Sequence, residues 1–227
     1  MTGPMVRGDA VRSYKLRGSR ITAGQADARA RLWPRYGVPV DGCPLDLARV
    51  FGRTAPIVLE IGFGMGEATA VMAHAQPDLD VLAVDVHPPG QGALLRQLDE
   101  RDLCNVRVCD GDALVVLRDM LAPGSLHGVR VFFPDPWPKR RHEKRRLIDA
   151  AFADLVVARL VPGGLLHVAT DWPLYAAQVR RVLTDHPALQ LVHQVPWRMR
   201  TRFEEQALSA GRSSYDVVAA NSGAPAG

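Results

Sequence analysis

Five acidic residues stand at or just after the ends of apolar runs: Glu60 in IVLEI, Asp85 in VLAVD, Asp112 after NVRVC, Asp135 after GVRVFF and Asp171 after LLHVAT. Carboxylates brought together can accept hydrogen bonds from sugar hydroxyls or from the amino and ring N–H groups of a base, and they favour positive charge nearby. Glu60 leads directly into GFGMG, so Gly62, Gly64 and Gly66 occupy every second position after a strand. Such a turn lets a ligand approach bare backbone. A dinucleotide fingerprint would put its third glycine at position 67, where this chain has Glu67, and a carboxylate there repels a pyrophosphate. Asp85 lies at the end of the next run, where an acid can accept from two ribose hydroxyls. Asp112, one run later, is placed to accept from an adenine amino group.

The stretch FFPDPWPKRRHEKRR, Phe132–Arg146, poses a different problem. Pro134, Pro136 and Pro138 remove backbone donors and restrain their predecessors, so its first half suits neither helix nor strand. Its second half carries six bases within eight positions and is too charged to bury. A stiff, acid-bearing loop joined to a cationic run would couple the position of a reacting group to the binding of a polyanion. The charge pattern supports that. Residues 7–35, 139–146 and 198–212 together hold 18 Lys/Arg and 5 Asp/Glu, while the rest of the chain is net −9 within an overall +4. An acidic body with three basic segments fits a polyanionic partner on one side.

The elements that must position these residues are legible as period changes. IVLEI, VLAVD, NVRVC, GVRVFF, LLHVAT, LQLVHQV and SSYDVVAA read as seven strands. Helical patterns separate most of them: Glu67–Ala75, ALLRQLDERD, RRLIDAAFADLVVARL ended by Pro162-Gly163-Gly164, and WPLYAAQVRRVLTDH. Strands alternating with helices give an α/β fold with a mostly parallel sheet, whose ligands sit outside the carboxyl ends of the strands. All five acids fall on that rim. Residues 1–35 read as a basic N-terminal arm, mobile before a partner arrives, residues 36–221 as the folded domain, and residues 222–227 as a loose tail. No apolar run approaches the ~20 residues of a membrane span, and Met1–Arg20 lacks a signal-peptide core. Cys43, Cys104 and Cys109 form no CxxC pair, which excludes the usual zinc spacing and suits a reducing cytoplasm. His87 and His142 have no partners at ligand spacing, so no metal is expected.

PDPWPKRRHEKRR resembles the signature of the tRNA (guanine-N7)-methyltransferases. LEIGFGMGEAT, ATDWPLYA and RTRFEEQALSAG are similar to the other blocks of that family, in the same order, and RGSRITAGQ and LWPRYGV to its N-terminal arm. The likeness runs from about Arg12 to Asp216. It implies a Rossmann-like class I methyltransferase with a seven-stranded sheet, using S-adenosylmethionine to methylate the variable-loop guanine of tRNA, position 46. It implies Glu60, Gly62, Gly64, Gly66, Asp85, Asp112 and Asp135 as cofactor contacts, with Asp135 also the active-site residue. Lys139, Asp171, Thr201, Arg202, Phe203 and Glu204 are implied to hold the substrate, and Arg141, His142, Glu143, Lys144, Arg145 and Arg146 to meet RNA. This chain departs from the commoner family pattern at Asp85 (Glu), Glu143 (His), Arg202 (Lys) and Gln206 (Arg).

The chemistry is consistent with these residue types. Guanine N7 carries an in-plane lone pair and no proton, so its methylation needs alignment more than a general base. Asp135 and Asp171 are then holders and electrostatic stabilisers. Trp137 and Phe203 can either pack against the protein or stack on a base; Trp172 reads as core. An NAD-dependent oxidoreductase and a non-catalytic RNA-binding module are the competing classes, and amine-methylating enzymes a looser likeness.

Overall fold

The computed structural model describes residues 20–223. Most of the arm, residues 1–19, and residues 224–227 of the tail lie outside the described residues.

In chain order the elements are α1 (Ala23–Tyr36), β1 (Gly37–Pro39), α2 (Leu47–Phe51), β2 (Ile57–Ile61), α3 (Glu67–Ala75), β3 (Asp80–Asp85), α4 (Pro88–Glu100) and β4 (Val106–Asp110). Then come α5 (Ala113–Val115), running into a π turn over Val116–Met120, β5 (Leu126–Phe132), a 3-10 turn over Arg140–Arg145, α6 (Ala150–Arg159) and β6 (Leu160–Thr170). The chain ends with α7 (Pro173–Asp185), β7 (Leu189–Leu191), α8 (Arg202–Ser209) and β8 (Tyr215–Asn221). The sheet order is β1-β4-β3-β2-β5-β6-β8-β7. All pairs from β1 through β6 are parallel, and β8 alone runs against its neighbours.

β2 is buried at all five positions, as expected for a central parallel strand covered on both faces. Along β3, Leu82 and Val84 enter one core cluster with Phe152 and Tyr175, while Val81 and Ala83 enter another with Leu32, Tyr36 and Leu98. That alternation is the two-residue period of a strand serving two helical layers.

Three features differ from the reading of the sequence. The sheet has eight strands; β1 has only three residues and so no alternation to reveal it. Arg202–Ser209, which the periodicity of the sequence assigns to no element, is a helix capped by Thr201, whose Oγ1 accepts from the Glu204 N–H at 3.2 Å. Residues 23–35, read as the end of the arm, form with Tyr36 a helix started by a Thr22–Gln25 capping box, with Ala28, Leu32 and Tyr36 buried.

Gly66 joins the glycine turn to α3 with φ +78°, and a Cβ there would lie 2.5 Å from the Leu94 Cβ. Left-handed backbone costs an L-residue ~1–2 kcal/mol and overpacking ~1–3 kcal/mol. Gly66→Ala is therefore expected to lower stability by about 2–5 kcal/mol in urea unfolding. A loss below ~0.5 kcal/mol would show that the α3–α4 contact is not tight.

Candidate active site

The parallel registers set Ile61 beside Val84 and Val131, and Asp85 beside Asp110, so four strands end together. Beyond their ends lies a cavity of about 590 Å³. Glu60, Gly62, Gly64, Gly66, Asp85, Asp112 and Asp135 all line it, as do Thr201, Arg202 and Phe203. The seven residues expected to contact a cofactor are thus brought together, with three of the substrate residues opposite.

Glu60 points from a fully buried strand. Its Oε1 accepts from the Thr69 hydroxyl at 2.8 Å, and its Oε2 has no hydrogen-bond partner among the described residues. Burial raises its pKa, against the opposing pull of Arg130 and Thr69. Asp85 accepts from the Gly64 and His87 N–H groups, both at 3.1 Å, which fixes the glycine turn to the end of β3. Burial raises its pKa too, with those backbone donors opposing. Gln91 ties the rim together by donating to the Asp85 carbonyl at 2.9 Å and to Asp110 Oδ1 at 2.7 Å. Asp112 caps α5, accepting from the Leu114 N–H at 2.9 Å.

The loop after β5 carries two of the three non-glycine residues with positive φ among those described, Phe133 at +52° and Trp137 at +42°. Such backbone costs ~1–3 kcal/mol per residue and persists only where the surroundings hold it. Phe133 N–H donates to the Ala169 carbonyl at 2.8 Å. Trp137 packs within the protein: the Arg145 guanidinium lies 5.0 Å from its ring centroid and the His142 ring meets it edge-on at 5.8 Å. The 3-10 turn therefore folds back over Trp137. Arg140, Arg141, Glu143, Lys144 and Arg145 remain exposed, and His142 is half-buried. Arg146, grouped with them by resemblance, is turned inward, at 5% exposure.

Sequence reasoning missed Arg198. Its guanidinium donates to Glu204 Oε1 at 3.0 Å and to Asp216 Oδ1 and Oδ2 at 2.7 and 2.9 Å, and lies 5.5 and 5.6 Å from the Phe132 and Phe133 rings. Asp216 also meets His167 Nε2 at 2.7 Å. Burial alone would raise the Asp216 pKa, but bonds from His167 and Arg198 hold it well below the usual carboxylate range. This group fixes α8 to β8 and β6 beneath the loop. Glu204 consequently faces this ion pair, not the cavity. No pattern in PWRMRTRFEE separates Arg198 from the exposed Arg200 and Arg202 beside it.

Lys139 and Asp171 do not line the cavity. Lys139 is exposed at the residue before the 3-10 turn, and Asp171 pairs with Arg212 at 3.2 Å. Arg202 pairs with Glu67 at 3.0 Å. Trp172 packs against the core, as read. Among the described residues, no group of three or more His, Cys, Asp and Glu could hold a metal, and no helix is long and apolar enough to cross a membrane.

A family model described as a putative methyltransferase matches residues 54–217. A tRNA (guanine-N(7)-)-methyltransferase of Streptomyces avermitilis is 54% identical over 92% of this chain and 74% of its own length. One from Nitrosospira multiformis is 51% identical over 92% of this chain and 93% of its own length. Two solved structures share the fold. An rRNA methylase from Streptococcus thermophilus gives a TM-score of 0.51 at 16% identity, covering 74% of this chain and 87% of its own. A 30S ribosomal A1408 methyltransferase from an uncultured bacterium gives 0.54 at 10% identity, covering 78% and 92%.

The doubly covered parallel sheet, reversed only at β8, and the acidic cavity at its rim define a Rossmann-like, S-adenosylmethionine-dependent methyltransferase. The site fits that cofactor: Glu60 Oε2 is a buried, unsatisfied acceptor, and a cavity edged by carboxylates suits a cationic ligand. Within this class, the chain belongs to the tRNA (guanine-N(7)-)-methyltransferase family.

The raised carboxylate pKa values have a measurable consequence. A cationic ligand favours the ionised forms and lowers both pKa values, so between the free and bound values binding must release protons. Calorimetry over a series of pH values above the ordinary carboxylate range, in buffers of different ionisation enthalpy, is expected to record that release when S-adenosylmethionine binds. Glu60→Gln should reduce it. No release from the unaltered protein would contradict the reading of Glu60 and Asp85.

Proposed function

We propose that this protein transfers a methyl group from S-adenosylmethionine to N7 of the variable-loop guanine of tRNA, position 46, and does so in the cytoplasm. One observation carries the reading beyond family membership. The cavity is edged by Glu60, Asp85, Asp112 and Asp135, and from Asp135 the chain runs within five residues into the cationic turn Arg140–Arg145. Cofactor-sized space, an acid beside it and a phosphate-binding run are therefore covalently consecutive.

Bound S-adenosylmethionine supplies an electrophilic methyl group on its sulfonium. Asp85 accepts from the ribose hydroxyls with the lone pairs that Gly64 and His87 leave available, and Asp112 accepts from the adenine amino group. Glu60 Oε2 provides a further acceptor beneath the glycine turn. Asp135 accepts from the guanine edge and favours the positive charge the base gains as N7 is alkylated. Asp171 supplies a second acceptor after exchanging Arg212 for the base. That ion pair is half-exposed on the arginine side, and exposed pairs contribute only ~0–1 kcal/mol. No residue needs to remove a proton, because N7 has none. Arg141, Lys144 and Arg145 hold phosphates and set the RNA's register, while Thr201, Arg202 and Phe203 close the other side of the cavity.

The reading is tested with unmodified tRNA and with the same tRNA carrying 7-deazaguanine at position 46. Labelled methyl groups are expected to enter the first RNA only. Asp135→Ala should reduce that transfer by about 100-fold or more, the range seen when an electrostatic stabiliser is removed. Equal labelling of the two RNAs would move the acceptor to another atom.

A further inference from the structure

We propose that Arg146 is a positioning residue for the loop that carries Asp135, and that it acts through the backbone of that loop instead of meeting RNA. Its side chain is 3% exposed, although it ends a run whose other charged members face solvent. Nε donates to the Pro136 carbonyl at 2.9 Å, a second nitrogen donates to Gln178 Oε1 at 2.5 Å, and the third approaches the Trp137 carbonyl at 3.5 Å. The guanidinium lies 5.1 Å from the Tyr175 ring centroid. Pro136 follows Asp135 directly, and Trp137 holds φ +42°. Arg146 therefore binds the two carbonyls next along the chain from Asp135, one of them on a residue in strained backbone. Strain of this kind is kept only by contacts of this kind.

The other end of the strut is α7. Gln178 donates to the Ile148 carbonyl at 3.2 Å, and the Tyr175 hydroxyl accepts from the Ile148 N–H at 3.1 Å. The helix begins at Pro173, two residues after Asp171. One planar fork thus ties the Asp135 loop to the helix that follows Asp171, the two acids assigned to the guanine. A lysine cannot reproduce this arrangement: it is a point charge and cannot hold divergent carbonyls while stacking on a tyrosine. Among the described residues, Glu143, 3.6 Å away and half-exposed, is the only carboxylate paired with Arg146, so the site is built for carbonyls.

Arg146→Lys separates this role from an RNA contact, because it keeps the charge a phosphate needs and loses the fork; it also avoids the empty space of Arg146→Ala. The kinetic arm rests on the proposed methyltransferase activity, and a hydrogen-exchange arm does not. With Arg146→Lys, kcat is expected to fall about 10- to 100-fold, as a misplacement of ~1 Å would produce. KM for tRNA and the salt dependence of tRNA binding should be unchanged. Amide exchange across residues 133–139 should rise. Wild-type kcat and exchange in Arg146→Lys would overturn the proposal, as would a salt slope reduced by about one in Arg146→Gln, which removes the charge. If the unaltered protein transfers no methyl group, the functional reading fails, and the exchange of residues 133–139 alone decides the role of Arg146.

Discussion

The parallel register of β2, β3, β4 and β5 is the constraint from which the site follows. Parallel strands of similar length end at one rim, so acids placed at or just past four strand ends arrive together without any long-range design beyond register. The arrangement is electrostatically unfavourable in the free protein. Burial raises the pKa of both Glu60 and Asp85, and Glu60 Oε2 lacks a partner among the described residues. A cation entering the cavity relieves that cost, which makes the rim selective for positive charge before any specific hydrogen bond is counted. Glu67 extends the same logic to the start of α3, where a dinucleotide's pyrophosphate would otherwise sit.

The loop after β5 must then hold Asp135 rigidly at this rim. Its prolines restrict it, but the positive φ of Phe133 and Trp137 shows that composition alone does not set its shape. Two arginines act on it, Arg146, which is buried, and Arg198, which is partly buried. Arg198 lies under Phe132 and Phe133 and is neutralised by Glu204 and Asp216; breaking a buried pair of that kind costs ~3–5 kcal/mol. Arg146 holds the carbonyls of Pro136 and Trp137. Trp137 in turn carries Arg145 on its face, so the cationic turn is registered to the loop through an aromatic ring. The aromatic, acid-bearing loop thus runs straight into a basic segment whose last arginine is turned back onto the loop, while the bases between Trp137 and Arg146 stay exposed.

Much of this was legible in the sequence. The β-branched runs, the glycine turn and the acids at the run ends suffice for the sheet and for the cofactor side of the cavity, because strand period and turn chemistry are local. β1 was not, since Gly37–Pro39 is too short to show a period. α8 was not, since RFEEQALS is mostly polar and its helix depends on the Thr201 cap and the partly buried Arg198. Orientation within charge runs was also hidden. Arg146 and Arg145 are adjacent and chemically identical, yet one is buried and the other exposed, a choice made by Tyr175 and Gln178 from a distant helix. Glu204 shows the same limit: the family block marks it, but only the fold reveals that it faces Arg198 and not the cavity.

Methylation of one guanine at N7 leaves a chemical mark, because borohydride reduction followed by aniline cuts RNA at 7-methylguanosine. Unmodified tRNA incubated with the protein and S-adenosylmethionine should be cut once, in the variable loop, and should stay intact when Asp135→Ala replaces the unaltered protein. Methyl incorporation without a cut, or cuts spread along the RNA, would contradict the account.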